Sequence, residues 1–185
     1  MKKYLFSIVF GILFTSCSTT NEKETRNLER FDKVNLVGNV ELQLERNSSQ
    51  SIQIMTNNTS DIADLITEVR NGDLYIYNEK KCDNCQTPKY HIYLNHSGIS
   101  DLTLTGKITL NSDDGISQKD LIIKGDGILN GNLEVSVDNL SVDFNGVSNI
   151  SISGYADTSS LKINGIGMIN AGSLKTKSSK KASHG

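Results

Sequence analysis

The residues best suited to chemistry fall into three small groups. Cys82 and Cys85 lie in KKCDNCQTPK, a C-x-x-C spacing that serves a redox pair, half a zinc site or a disulfide. Asp126 and Asp143, with Asp113, Asp114, Asp138 and Asp157, supply carboxylates in the C-terminal half. Carboxylates on neighbouring strands hold calcium or, in pairs, cleave glycosidic bonds. Residues 122–131, IIKGDGILNG, run an apolar pair into Gly125, Gly127 and Gly131, which is how phosphate-binding loops begin.

Each group also has a plainer reading. No second cysteine or histidine pair completes four zinc ligands around Cys82 and Cys85. His91 and His96 are near in sequence but are spaced as strand residues, so no metal site is expected. Outside the cytoplasm the simple outcome is a disulfide that clips a loop. The third histidine, His184, is in the C-terminal tail and no G-x-S-x-G elbow occurs, so no catalytic residues are expected and the chain reads as a non-enzyme without a cofactor. Asp126 and Asp143 face outward, and Asp also serves turns and solubility; the calcium repeat G-G-x-G-x-D is missing. A phosphate loop needs a helix after its glycines. Here NLEVSVDNLSVDF follows, and it alternates as a strand.

The elements that must carry these residues are strands. The 185 residues include 15 Gly and one Pro, with no Trp and a net charge of −2. That composition suits many short strands and turns, and no overall field favours nucleic acid. The lysines at 175, 177, 180 and 181 cluster without interleaved aromatics and read as a solvated tail. In VNLVGNVELQLE, Val34, Leu36, Gly38, Val40, Leu42 and Leu44 share one face. SIQIMT, residues 51–56, and KYHIYLN, residues 89–95, add strands; residues 60–66 suit a helical turn capped by Ser60. Asn71-Gly72 is the preferred type I′ hairpin dipeptide. Tyr75, Tyr77, Tyr90 and Tyr93 come from two neighbouring segments and could stack on sugars or a protein partner, or simply cover the sheet.

From residue 100 the chain aligns on Gly106, Gly125, Gly146 and Gly165, at spacings of 19, 21 and 19 residues, and Gly38 fits the same pattern. Parity puts the apolar residues and these glycines on one face: Leu121, Ile123 and Leu129, then Val142, Phe144 and Ile150, then Leu161, Ile163 and Ile169. A unit of about 20 residues that cannot bury its own apolar face predicts stacking, with glycine where the backbone bends over a narrow core. The expected fold is all-β: a parallel β-solenoid of about 19–21 residues per coil, preceded by an N-terminal strand and hairpin region.

The N-terminus is distinct. Met1-Lys2-Lys3 precedes an uncharged apolar run, residues 4–14, too short for the roughly 20 residues that span a bilayer. It reads as a signal peptide. FTSC resembles the lipobox of bacterial lipoproteins, which implies a cleaved segment at 1–16, lipid attachment at Cys17 and a tether over 17–27. Ser18 resembles an outer-membrane sorting preference, so the implied address is the bacterial outer membrane, on its periplasmic or cell-surface face.

FDKVNLVGNVELQLERNSSQSIQI, the hairpin ITEVRNGDLYIYNEK and the L-x-I-x-G-x-G-x-I units resemble the putative auto-transporter adhesin head domain, the GIN domain of Bacteroidota lipoproteins and secreted proteins. The resemblance covers residues 28–175, leaving a basic flexible tail at 176–185, and implies a right-handed β-helix without known catalytic residues. The resulting expectation is a lipid-anchored envelope protein whose solenoid presents a binding or adhesive surface to a protein or glycan. A carbohydrate-binding or carbohydrate-active β-helix is the alternative. An open C-terminal coil would also allow self-association.

Overall fold

The computed structural model describes residues 22–57, 59–79 and 87–184. The signal segment, Cys17, Cys82 and Cys85 lie outside the described residues.

Strand β2 (Lys33–Arg46) organises the sheet. Its period-two pattern buries Val34, Leu36, Val40, Leu42 and Leu44, because successive strand side chains point to opposite faces. One edge pairs in parallel with β7 (Asp101–His184), from Lys33↔Asp101 to Leu44↔Ser112. The other edge is divided. Residues 33–36 pair with β5 (Asp73–Asn78) and residues 39–46 pair with β6 (Lys89–His96), both in parallel. The change of partner falls at Gly38, whose φ of +150° lets the strand turn there.

The remaining pairings are antiparallel. β3 (Ser51–Thr56) lies between β1 (Glu22–Asn27) and β6, and β4 (Leu65–Arg70) pairs with β5 through the Asn71-Gly72 turn. Asn71 and Gly72 have φ of 54° and 84°, the doubly positive geometry of the expected I′ turn. The helical turn α1 spans Thr59–Asp64, so Ser60 lies inside it and is not its cap. Leu65 and Ile66 belong to β4, where the β-branched Ile66, Thr67 and Val69 favour a strand. The sheet curls until its outermost strands, β1 and β4, approach each other. Arg26 of β1 closes the gap: Nη1 donates to the Leu65 carbonyl (2.6 Å) and Thr67 Oγ1 (3.0 Å), and Nη2 donates to the Ile62 carbonyl (3.0 Å).

Along β7 the chain folds back on itself, and residues 19 or 21 apart lie side by side, as in Asn139 with Asp120 and Asn132 with Asn111. The parity expected from sequence holds here. Leu121, Ile123, Leu129, Val142, Phe144, Ile150, Leu161, Ile163 and Ile169 are buried in one core with the β2 residues. Each such side chain contributes about 1.5–3 kcal/mol when fully removed from water. Between these apolar positions runs a glycine column. A Cβ on Gly127 would lie 2.2 Å from the Gly106 carbonyl oxygen, and one on Gly146 would lie 2.3 Å from that of Gly127. Both have φ of +114°. Gly106 meets Gly38 at the lower end in the same way, and Gly165 meets Gly146 at the upper end. Gly125 stands two residues off the column, against the Leu104 carbonyl.

A right-handed parallel β-helix or solenoid is therefore not the architecture. The fold is all-β, but three of its six strand pairings are antiparallel, and together they form a mixed, curled half-barrel sheet. The reason lies in the connections. The two-residue turn Asn71-Gly72 permits only an antiparallel β4–β5 pair, and β3 returns antiparallel to both β6 and β1 across longer connections. The glycine spacing reports stacking within β7 and carries no information on how β1 and β3–β6 are joined.

Two predictions follow from the packing. Gly127→Ala combines positive-φ strain with a clash against backbone and should cost about 3 kcal/mol or more in urea melts. Gly172→Ala, whose nearest neighbour is a side-chain oxygen at 3.4 Å, should stay within about 0.5 kcal/mol. The second concerns His96, which is buried with Nδ1 lacking a hydrogen-bond partner among the described residues. Burial, and then the Arg46 charge, push its pKa down to about 4, against a smaller opposing pull from Asp114. The unfolded chain binds the proton near pH 6.5, so stability is complete above that pH and falls between 6.5 and about 4. Comparison of denaturant melts at pH 7.5 and 4.5 should show a loss of about 2 kcal/mol that is absent in His96→Gln.

Candidate functional site

Burial of one side chain in two along each strand leaves the alternate residues to form an outer face. The register lines them up across five strands. One row runs Thr25, Gln53, Tyr93, Gln43 and Asn111, on β1, β3, β6, β2 and β7 in turn. Asn111 Oδ1 accepts the backbone N–H of Asn132 at 3.1 Å, which carries the row further along β7. The adjacent row runs Lys23, Met55, His91, Glu41 and Thr109. Here Glu41 accepts from Lys89 Nζ (3.1 Å) and lies 3.2 Å from His91 Nδ1. Tyr93 is 39% exposed at the middle of the first row. Gln43 Nε2, beside it, has no hydrogen-bond partner among the described residues. Gln43 Nε2 is itself shielded from solvent, so the groups that the face offers a ligand are the Thr25 hydroxyl and the Gln53 amide, neither bonded to another described side chain, beside the Tyr93 ring.

The four tyrosines singled out from sequence do not converge. Tyr90 is buried, donating to the Asp61 carbonyl and accepting from Asn78 Nδ2, each at 2.9 Å. Tyr77 donates to Glu68 at 3.0 Å, and that hydrogen bond, followed by burial, raises its pKa. Tyr75 lies under the Arg70 guanidinium, 5.6 Å from ring centre to Cζ. Tyr75 and Tyr77 alternate with the buried Leu74 and Ile76 and so share the outer face on β5, but they are engaged by Arg70 and Glu68, whereas Tyr93 lies in the five-strand row.

The outward acids form ladders. Asp143 Oδ1 accepts from Asn164 Nδ2 at 3.0 Å, and its other oxygen lies 3.7 Å from Lys162 Nζ. Asn164 also donates to Asn145 at 2.8 Å. Lys124 points outward and pairs with Asp101 at 2.8 Å. Asp126, Lys124, Asp143, Asn145 and Asn164 line one shallow concavity of about 430 Å³, in which Asp126 forms no ion pair among the described residues. Asp120, Asn139 and Thr158 build a parallel ladder with bonds of 2.6 and 2.7 Å. Asp157 accepts from the Tyr155 hydroxyl and pairs with Lys177 at 2.9 Å, and these partners, Tyr155 first, hold its pKa low. Asp143 is thus tied into cross-strand bonds, an arrangement that staples layers together. Among the described residues no three His, Cys, Asp or Glu side chains gather to hold a metal ion.

Residues 30–185 match the family model described as putative auto-transporter adhesin, head GIN domain. The chain belongs to this family. The GIN chain is similar to a putative adhesin from Bacteroides fragilis, at 20% identity and a TM-score of 0.76, over 90% of this chain and 77% of that one. It is also similar to a putative lipid binding protein from Parabacteroides distasonis, at 20% identity and a TM-score of 0.66, over 88% and 78% of the two chains. A putative adhesin from Parabacteroides merdae follows at 14% identity and a TM-score of 0.61, over 88% and 77%. At these identities the structures share the fold. None of the curated proteins matches the chain. The family's description points to a cell-surface or envelope setting and to binding as the role. No helix among the described residues is long and apolar enough to cross a membrane.

The outer row escaped sequence reasoning because its members come from five strands spread over residues 25 to 111. A signal was available: amides recur at outward positions, as Gln43, Gln53, Asn111 and Asn132.

Proposed function

We propose that this GIN-domain chain is a non-enzymatic envelope protein, anchored through a lipid on Cys17, that uses its outer sheet face as a contact surface. The observation that carries the reading is the row Thr25–Gln53–Tyr93–Gln43–Asn111, which is continuous across five strands and sets the exposed Tyr93 ring beside the Gln53 amide. The family description, head domain of an adhesin, supports a surface that binds. The anchor rests on the lipobox-like FTSC after an apolar run; acyl chains contribute about 0.8 kcal/mol per buried methylene, and two or more make a stable tether.

A saccharide is the ligand class that the row favours. A planar ring beside side-chain amides meets a sugar's apolar face and its hydroxyls together. Screening the mature protein on a glycan array should give binders whose affinity falls about tenfold or more in Tyr93→Ala, with an unchanged thermal melt. If no glycan binds, the saccharide reading is wrong, and cross-linked pull-down from intact envelopes then tests the broader one. For the anchor, Cys17→Ala or globomycin treatment should cause unprocessed precursor to accumulate and leave the membrane fraction; unchanged processing would contradict lipidation.

A further inference from the structure

A second concavity, of about 350 Å³, lies where the connection before β2 meets the end of β2 and the connection between β6 and β7. It shares no residue with the outer row. Its volume is at the small end of ligand pockets, which run from ~300 to 1,000 Å³. We infer that this pocket binds a small oxyanion, a phosphate, sulfate or carboxylate group, between Arg30 and Arg46.

The charge arrangement comes first. Arg30 forms no ion pair or hydrogen bond among the described residues, and Arg46 makes only a 3.4 Å contact to the Ser117 carbonyl. Two guanidinium groups on one small pocket, both without a carboxylate partner, leave their donor forks open. The fork geometry fits the paired oxygens of carboxylate, phosphate and sulfate. The one acid in the lining, Asp32, turns a carboxyl oxygen toward Gly72, 3.7 Å from where a Cβ would stand there. Asp114 is close enough to influence His96 but forms no ion pair with Arg46 among the described residues.

The walls are mostly polar, and their donors outnumber their acceptors. Ser97 Oγ accepts from Gln50 Nε2 at 3.0 Å, so its own proton can point into the pocket. Ser117 Oγ and the Gln118 amide have no side-chain partner among the described residues. Gln118 lies directly over Gly98, where a Cβ would come within 1.9 Å of Nε2. A side chain at position 98 would displace the amide from the pocket wall.

The scaffold is held in place before any ligand arrives. Gln50 brackets Phe31, accepting from its N–H and donating to its carbonyl, both at 2.9 Å. The Asp32 carbonyl accepts from Ser100 N (2.7 Å) and Ser100 Oγ (3.1 Å), and Asp32 N donates to the Gly72 carbonyl at 3.1 Å. These bonds join four connections that are far apart in sequence, so the two arginines stand on fixed backbone. A site preorganised in this way loses little entropy on binding.

Isothermal titration of the mature protein with inorganic phosphate and with sulfate, at constant ionic strength in a chloride buffer, tests the site. Saturable binding is expected, weakened about tenfold in Arg30→Gln and in Arg46→Gln, and abolished in Ser117→Asp, which places a carboxylate in the pocket. All three variants should keep the parental melting temperature and, should the outer face bind a glycan, that affinity as well. A parallel titration with glycerol 3-phosphate identifies the source of the anion. Tighter binding than inorganic phosphate assigns the pocket to an anion carried on a small molecule; equal binding assigns it to the free ion. Absence of saturable binding, or equal affinity in the parent and both arginine variants, would overturn the inference.

Discussion

Backbone-to-backbone contact along the column Gly38, Gly106, Gly127, Gly146 and Gly165 is the constraint on which the other arrangements depend. At each step from Gly106 upward, a β-carbon would stand about 2.2–2.3 Å from the carbonyl oxygen below it. No side chain can occupy that space, and L-residues disfavour positive φ. The column therefore sets how closely successive passes of β7 approach each other and the middle of β2. The buried rows on either side follow from that spacing: Leu121, Ile123 and Phe144 on one side of the glycines, Leu129 and Ile150 on the other.

The N-terminal half meets a different requirement. β2 gives one whole edge to β7 and divides the other between β5 and β6. Beyond β5 and β6 the strands add in antiparallel fashion, β4 through the two-residue Asn71-Gly72 turn and β3 and β1 across longer connections, and the sheet curls as they do. An unpaired edge strand invites association; here Arg26 joins the two outermost strands with two hydrogen bonds and reaches α1 with a third, and charged residues fill β1. The same curl leaves the strand ends and their connections in one region, where the oxyanion pocket forms.

Because the inner face carries the packing, the outer face is free to vary in chemistry. Over β7 it uses that freedom for cross-strand ladders, in which Asp143, Asn145, Asn164 and Lys162 bond to one another. Over β1, β3, β6 and β2 it presents Thr25, Gln53 and Tyr93, which no such ladder ties down. The contrast separates a stapled surface from one available to a ligand, although both are built from the same polar residue types.

The sequence by itself determined the all-β class, the strands near 34–45, 51–56 and 89–95, the Asn71-Gly72 turn and the inward parity of β7. Each of these depends on neighbours within a few residues: period-two alternation, positive φ in a two-residue turn, glycine among apolar positions. The family resemblance was legible for the same reason, since order and spacing are linear properties. Only the tertiary structure decided the mixed pairing of the sheet, because strand direction depends on which distant strand accepts each hydrogen bond. It also decided which acids are bound in ladders, which tyrosine is exposed and that Arg30 and Arg46 flank one pocket. Those facts join residues that are mostly far apart in the chain, and burial, charge pairing and exposure there depend on register, which no local pattern of residue types encodes.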